Sequence, residues 1–314
     1  MGQRLCVLLN IFLTLLILGC DKPAQTPATT QAVDARAVRV VSLTPAGTNL
    51  LVAMGMKDQI VGVSAYEADI QLRDKLPKVG DYQRIDWEQL SAIKPTHLIV
   101  QGLRDRLPAG IEERCAAMNI QVVILQIDRL KDIYAAITQL GAALHADDAA
   151  KKTVTDLQAR LTPRTNPAAS NASFTALVLI GDEGKLVVGT DNYINDVLEL
   201  SGAKNAVAAP GYLMLDVEKG RSLAPDVVFI LAPRTNPQTD PKLDNAANRR
   251  NNVDAKSILI ASDKWPAIKT DRVYAMTDAD ALLPGANVAN VYDFFVRHLK
   301  QIPPQDNPPP GSGP

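Results

Sequence analysis

Aromatic side chains are scarce in this chain of 314 residues: five Phe, seven Tyr and two Trp make up 4% of it. A Tyr or Trp in a loop therefore carries extra weight as a candidate ligand contact. Histidine is scarcer. His97, His145 and His298 do not cluster, and there is no His-rich loop. Receptors for bare zinc or manganese draw on such ligands, so free-metal binding is disfavoured and no metal site is expected. Of the three cysteines, Cys6 and Cys20 lie in the first twenty residues, leaving Cys115 alone in the body. One thiol makes neither an internal disulfide nor a metal cluster. Lys and Arg number 33 against 34 Asp and Glu, a formal charge of −1, with none of the basic excess that marks nucleic-acid binding. Catalytic signatures are missing too: no Gly-x-Ser-x-Gly elbow, no Gly-Lys-Ser/Thr phosphate loop and no His-Glu-x-x-His.

What is present begins with an address. Arg4 gives a positive start, Cys6 to Leu18 is a short apolar run, and Ile17-Leu18-Gly19-Cys20 closes it. The run is too short to span a bilayer comfortably and no stop-transfer flank follows, so residues 1–20 read as an export signal. The closing cysteine resembles a bacterial lipobox, which implies cleavage and lipidation at Cys20. Residues 21–37 are polar and Pro-containing, a tether with nothing to bury. Residues 303–314 are rich in Pro and Gly and read as an unstructured tail. With 46% hydrophobic and 21% charged residues, the stretch between is an ordinary globular body, long enough for two domains with real cores.

Within that body, short β-branched runs alternate with amphipathic stretches, which predicts an α/β fold with mainly parallel sheets. Strands are expected at Arg39–Leu43, Gln59–Ser64, Thr96–Gln101 and Ile120–Leu125, with helices at Thr48–Met56 (capped by Thr48 or Gly47), Trp87–Ile93 and Ile111–Met118. These make a first lobe over 38–128. A connector over 129–163 holds two helices. In one, Leu130, Ile133, Ile137, Leu140 and Leu144 recur at helical spacing; the other, Asp147–Leu161, starts with acids and ends with Arg160. A second lobe over 164–302 places strands at Phe174–Ile180, Lys185–Gly189, Asp226–Leu231 and Arg272–Met276, a helix at Tyr193–Ser201, and a long polar loop over Pro233–Asp254. Asp86-Trp-Glu88 to Pro95 recurs as Asp216-Val-Glu218 to Pro225. In both copies a Glu stands seven positions before a Pro that opens a buried strand. Either Glu alone is explained as a helix-start acid; matched placement in both halves is harder to explain that way.

With these residues in view, the chain resembles the class III substrate-binding proteins of ABC importers, the group that carries cobalamin, haem and ferric siderophores. The resemblance rests on Arg39-Val-Val-Ser-Leu-Thr-Pro-Ala-Gly-Thr48, Ile60-Val-Gly-Val-Ser64, Leu76-Pro-Lys-Val-Gly80, the Asp86–Pro95 segment, Asn192-Tyr193 through Asn205, and Asp271-Arg-Val-Tyr274. Where the family usually has Glu after the Thr, this chain has Asn49. The resemblance implies two Rossmann-like lobes joined by a single rigid α-helix, for which Asp147–Leu161 is the candidate, with a ligand in the crevice between them. It implies that Glu88 and Glu218, one per lobe, dock on Arg residues of an ABC permease dimer in the inner membrane. It implies a monomer in the bacterial periplasm or at the cell surface, held to the membrane only by its lipid.

Ligands of doubly wound sheets sit beyond the carboxyl ends of the strands, which selects loops bearing Pro45, Tyr66, Tyr82, Arg104 and Arg234, with Tyr193, Tyr212 and Trp265 nearby. Aromatic walls suit a flat macrocycle or a catecholate, and guanidinium groups pair with ligand carboxylates or phosphate. Tyr82 aligns with an aromatic that cobalamin-binding members place against their ligand; it could instead serve as an axial phenolate to haem iron. Asp278 and Asp280 read as solvated. The expectation is a receptor for an iron chelate, haem or corrinoid as cargo, with no catalytic cofactor and no enzymatic activity. Two alternatives stay open: a lipid-anchored hydrolase using carboxylates of Gly181-Asp-Glu-Gly184 and Asp278-Ala-Asp280, and a chelate sensor without a permease.

Overall fold

The computed structural model describes residues 37–81, 83–163, 174–181, 185–215, 220, 222–233 and 265–302. The sequence between Val40 and Leu125 folds as β1 (Val40–Ser42), α1 (Pro45–Ala53), β2 (Ile60–Val63), α2 (Ile70–Lys75), α3 (Trp87–Ile93), β3 (His97–Gln101), α4 (Ile111–Ala117) and β4 (Gln121–Leu125). The four strands form one sheet in the order β2-β1-β3-β4, and every neighbouring pair is parallel. Strands such as β1, whose three residues are all buried, read as unbroken apolar runs because both faces of a parallel sheet are covered. Val40 and Ile99 enter one apolar cluster while Val41, Leu98 and Val100 enter another, as the two-residue period of a strand requires.

α1 starts three residues before the expected Thr48. Pro45 occupies its first turn and Thr44 is the cap, since proline's fixed φ and missing N–H suit a first helical position. Gly47 lets this helix press on the sheet: a Cβ there would lie 3.0 Å from side-chain atoms of Ile99 and Thr44. α2 was not expected from the sequence. It exists because the Asp69 carboxylate accepts from the Gln71 and Leu72 amides at 2.9 and 3.1 Å. α3 begins as the sequence predicts, with the Asp86 carboxylate accepting from Gln89 N at 2.9 Å.

The connector holds α5 (Leu130–Ala143) and α6 (Asp147–Arg160). They pack so closely that a Cβ at Gly141 would come within 2.4 Å of the Ala150 Cβ. On α6, the Thr153 hydroxyl reaches Ala53 O of α1 at 3.4 Å, and Arg160 ends against Asn290 and Asp293 of α9 (Val288–Leu299) at 3.2 and 2.6 Å. The helix therefore touches helices packed on both sheets. At 1.5 Å rise per residue its fourteen residues span about 21 Å.

The second sheet contains β5 (Phe174–Ile180), β6 (Leu186–Val188), β7 (Ala203–Asn205), β8 (Tyr212–Met214), β9 (Val227–Leu231) and β10 (Val273–Met276), with α7 (Tyr193–Leu200) and α8 (Pro266–Lys269) among its helices. Its order is β10-β9-β5-β6-β8, and β7 pairs with β5 beside β6. β7, β9 and β10 continue the parallel pattern, whereas β6 runs antiparallel to both its neighbours, β5 and β8. The apolar interior is continuous from the first sheet through α5 to α7, α9 and the second sheet, while the far face of each sheet has its own cluster.

The repeat seen in the sequence has a counterpart in hydrogen bonds. Pro95 and Pro225 each stand two residues before a strand, β3 and β9. The residue after each proline pins the sheet's first strand: Thr96 Oγ1 accepts from Arg39 N at 2.9 Å, and Asp226 Oδ2 accepts from Thr175 N at 2.9 Å. The registers agree as well, Val40 facing His97 and Ala176 facing Val227.

Candidate functional site

One cavity, of about 230 Å³, lies between the two sheets' loops and is lined by Pro45, Thr48, Asn49 and Val52 of α1, Glu67 to Asp69 after β2, and Ala279, Asp280 and Leu283 after β10. All three segments follow the carboxyl end of a parallel strand, which is where an open α/β sheet leaves room for a ligand. Pro45, selected from the sequence, is in its wall. Tyr66 immediately precedes the lining residue Glu67 and is 71% exposed.

Glu67 was passed over in the sequence, yet it is the most unusual residue here. It is 3% exposed. Its Oε1 accepts from Asp69 N at 3.0 Å, while Oε2 is buried with no hydrogen-bond partner. Burial pushes its pKa up, against the pull of the Asp69 amide and the nearby Thr48 hydroxyl. Across the cavity, burial also raises the Asp280 carboxyl, with Asp278 adding repulsion. Asp280 is thus half-buried rather than solvated as expected, and Asp278 alone stays exposed. The sequence signal for Glu67 was only an acid directly after a loop tyrosine. Its burial depends on α1 and the loop closing over it.

One edge of the cavity is bridged. Asn49, standing where the resembled family usually has Glu, accepts from Asn287 N at 3.3 Å. Asn287 in turn donates to Asp280 O and, at 3.1 Å, to Leu283 O, which fixes the wall-forming turn. A neutral amide can accept here without placing another charge beside Asp280 and Glu67.

Tyr193 and Trp265 are placed differently from the exposed loop aromatics. Tyr193 opens α7, is buried, and donates from Oη to Leu282 O at 2.6 Å, so it supports the cavity turn from behind. Burial drives its phenol well above the ordinary value. Trp265 is 1% exposed in the far-face cluster of the second sheet, donates from Nε1 to Gly220 O at 3.0 Å, and is not part of the cavity lining. Tyr212 on β8 is partly exposed, and burial of its hydroxyl raises its pKa to about 12. Arg104 is exposed and paired with Glu112. Glu88 is exposed in the first turn of α3, outside the capping bond made by Asp86. Tyr82, Arg234, Glu218, Cys20 and the acids of Gly181-Asp-Glu-Gly184 lie outside the described residues.

Among the described residues, no three His, Cys, Asp or Glu side chains converge to hold a metal ion. Cys115 is buried, and burial raises its thiol to about 11, so it is a packing residue rather than a thiolate ligand. No helix among the described residues is long and apolar enough to cross a membrane.

Comparison with known proteins adds the following. A family model described as periplasmic binding protein matches residues 40–279. A vitamin B12-binding protein of Pectobacterium carotovorum is 28% identical over 169 residues, 53% of this chain and 60% of the relative. An uncharacterized ABC transporter substrate-binding lipoprotein of Bacillus subtilis is 22% identical over 198 residues, 60% of this chain and 62% of the relative. The aligned part thus spans about three fifths of each relative's length. Among solved structures, the periplasmic haem-binding protein HutB of Vibrio cholerae superposes with a TM-score of 0.65 at 25% identity, covering 84% of this chain and 99% of that one.

Proposed function

The chain belongs to the periplasmic binding protein family, and from that premise we propose that it is a lipid-anchored receptor that hands a metal chelate to an ABC import permease. The family consists of binding proteins rather than enzymes, with periplasmic or extracytoplasmic members, so the hydrolase alternative is set aside. The observation that carries the reading is a cavity lined from segments that follow strand ends of both sheets, with the exposed Tyr66 adjoining its lining residue Glu67 in the chain, in a body whose halves repeat one another. The cargo is an iron chelate, haem or corrinoid, in keeping with the vitamin B12 and haem named for its relatives. Pro45 and Tyr66 supply the wall against which a flat ligand packs, with Tyr82, Arg104 and Arg234 contributing from neighbouring loops and Tyr193 and Trp265 acting as supports.

Docking falls to Glu88 and Glu218. Two carboxylates set apart on a stiff body fix the orientation of the complex as well as its attraction, because charge-assisted Arg pairs are directional. Cys20 is the lipidation site, which confines the receptor to the membrane surface where the permease lies. The sensor alternative uses the same cleft without docking.

The test is the visible spectrum of the purified full chain, alone and titrated with haemin, cyanocobalamin and ferric siderophores. A saturable change in a Soret, corrin or charge-transfer band with one of them is expected. No spectral change and no heat of binding with any of them would overturn the receptor reading. Retained uptake in cells carrying Glu88→Lys with Glu218→Lys would remove the docking assignment, and with no permease genes nearby it would favour the sensor reading.

A further inference from the structure

Glu67 presents a problem that its own surroundings leave unsolved. A carboxyl that is 97% buried by area keeps one oxygen without a partner, although burying an unsatisfied acceptor is costly and buried polar groups are normally paired. Its neighbours solve it only in part. The Asp69 amide is spent on Oε1, the Asp69 carboxylate caps α2 and meets Lys57 at 3.6 Å, and the Thr48 hydroxyl, close enough to pull the Glu67 pKa down, donates to Thr44 O at 3.3 Å and leaves Oε2 without a hydrogen bond. Among the described residues, the cavity wall carries three acids, Glu67, Asp69 and Asp280, and no Lys, Arg or His.

We propose that the cavity wall at Glu67 receives an N–H donor on the periphery of the bound chelate, an amide or an ammonium group, and that it excludes ligand carboxylates. This rests on the receptor reading above and narrows its substrate class. An N–H group placed at Oε2 completes the acceptor and lets the carboxyl ionise in place, a charge-assisted bond stronger than a neutral one. A carboxylate in the same position would face Glu67 and Asp280 together, with no cation among the described wall residues to offset it. Asn49 fits this scheme, because its neutral amide holds the turn bearing Asp280 without adding charge to an acidic wall.

The experiment compares three chelates on the full chain by absorbance titration: cyanocobalamin, which carries primary amides; ferrioxamine B, which carries an ammonium; and haemin, whose peripheral polar groups are carboxylates. Each is titrated into the wild type and into Glu67→Gln. Gln keeps the volume and the bond to Asp69 N but turns the free oxygen into a donor. At least one N–H-bearing chelate should bind the wild type more tightly than haemin and lose roughly tenfold or more in Glu67→Gln, while haemin affinity holds or improves. Which of the two loses affinity tells amide from ammonium. If haemin binds best, or the ratio is unchanged in Glu67→Gln while melting shows the variant folded, this proposal is overturned and the receptor reading stands. If none of the three binds either protein, the receptor reading fails with it. Asp280→Asn, tested alongside, should shift the same ratio in the same direction by less.

Discussion

The first sheet is four parallel strands and little else; the second contains the same unit, β7-β5-β9-β10, and adds the antiparallel β6 and β8. In each, a helix follows the first strand and a proline introduces the third. What is shared is what holds the sheet together. Thr96 and Asp226 occupy the same place and pin the same backbone amide, one with a hydroxyl and the other with a carboxylate that also accepts from the Thr175 hydroxyl at 2.8 Å. What differs lies on one side of the central strand β5, where β7 pairs with Phe174–Ala176 and the inserted β6 pairs with Leu179 and Ile180. The comparison teaches that the half-molecule is the physical unit, and that an added strand is accommodated by pairing on β5 itself beyond its parallel neighbour.

Several measurements would break or sharpen that comparison. The largest effect is expected at the two tryptophans, one in each half. Trp265→Ala should cost about 3–5 kcal/mol in urea unfolding, since it empties a closed core and strands Gly220 O. Trp87→Ala, which removes a half-buried ring packed on the first sheet's far-face cluster with the Arg114 guanidinium 4.1 Å over it, should cost less, about 2 kcal/mol from partial burial and the cation–π contact together. Equal losses would show that the far-face clusters are better matched than the burial suggests. Docking comes next. Reversal of Glu88 and Glu218 together to Lys should lower uptake by more than about tenfold with ligand affinity unchanged, each single reversal giving a smaller loss. A single reversal as severe as the double would mean that only one half docks.

Smaller still is the contrast between pins. Asp226→Ala should destabilise by about 1–3 kcal/mol and Thr96→Ala by about 1 kcal/mol, because bonds to a charged acceptor are the stronger. The smallest effect is in pH. Folding raises the Glu67 pKa above its ordinary value, so the folded state holds that proton more tightly than the unfolded chain does. The wild type should therefore gain stability as pH falls from neutral toward the ordinary carboxyl range. Glu67→Gln should lose that part of the gain, read from melting curves at successive pH values. Asp280 contributes in the same direction.

Much of the fold was legible because its elements obey simple periods. Phe174–Ile180 and Trp87–Ile93 have the bounds expected from their apolar runs and caps, and β9 differs by one residue. The missed elements were those whose sequence carries no such signal. β7 is Ala-Lys-Asn, with no β-branched residue, and is a strand only because β5 offers a ladder and Asn205 Nδ2 bonds Val188 O and Gly189 O at 3.0 and 3.2 Å. α1 starts earlier than its apolar spacing indicates because Pro45, which reads equally as a loop residue, fits the first turn of a helix. For the site, the strand-end rule selects Pro45, which lines the cavity, and Tyr66, which is exposed beside the lining residue Glu67, while Tyr193 and Trp265, selected with them, are buried.

The sequence by itself determined the alternation of strands and helices, the repeated segment with its prolines, and the kinship with binding proteins, because these depend on residues near one another in the chain. Tertiary structure alone decided which side chains face the cleft. Glu67 is an ordinary loop acid until α1, the β2 loop and the turn after β10 close around it from positions more than two hundred residues apart in the chain. Only then does burial separate one oxygen from water and leave it to be matched by a guest.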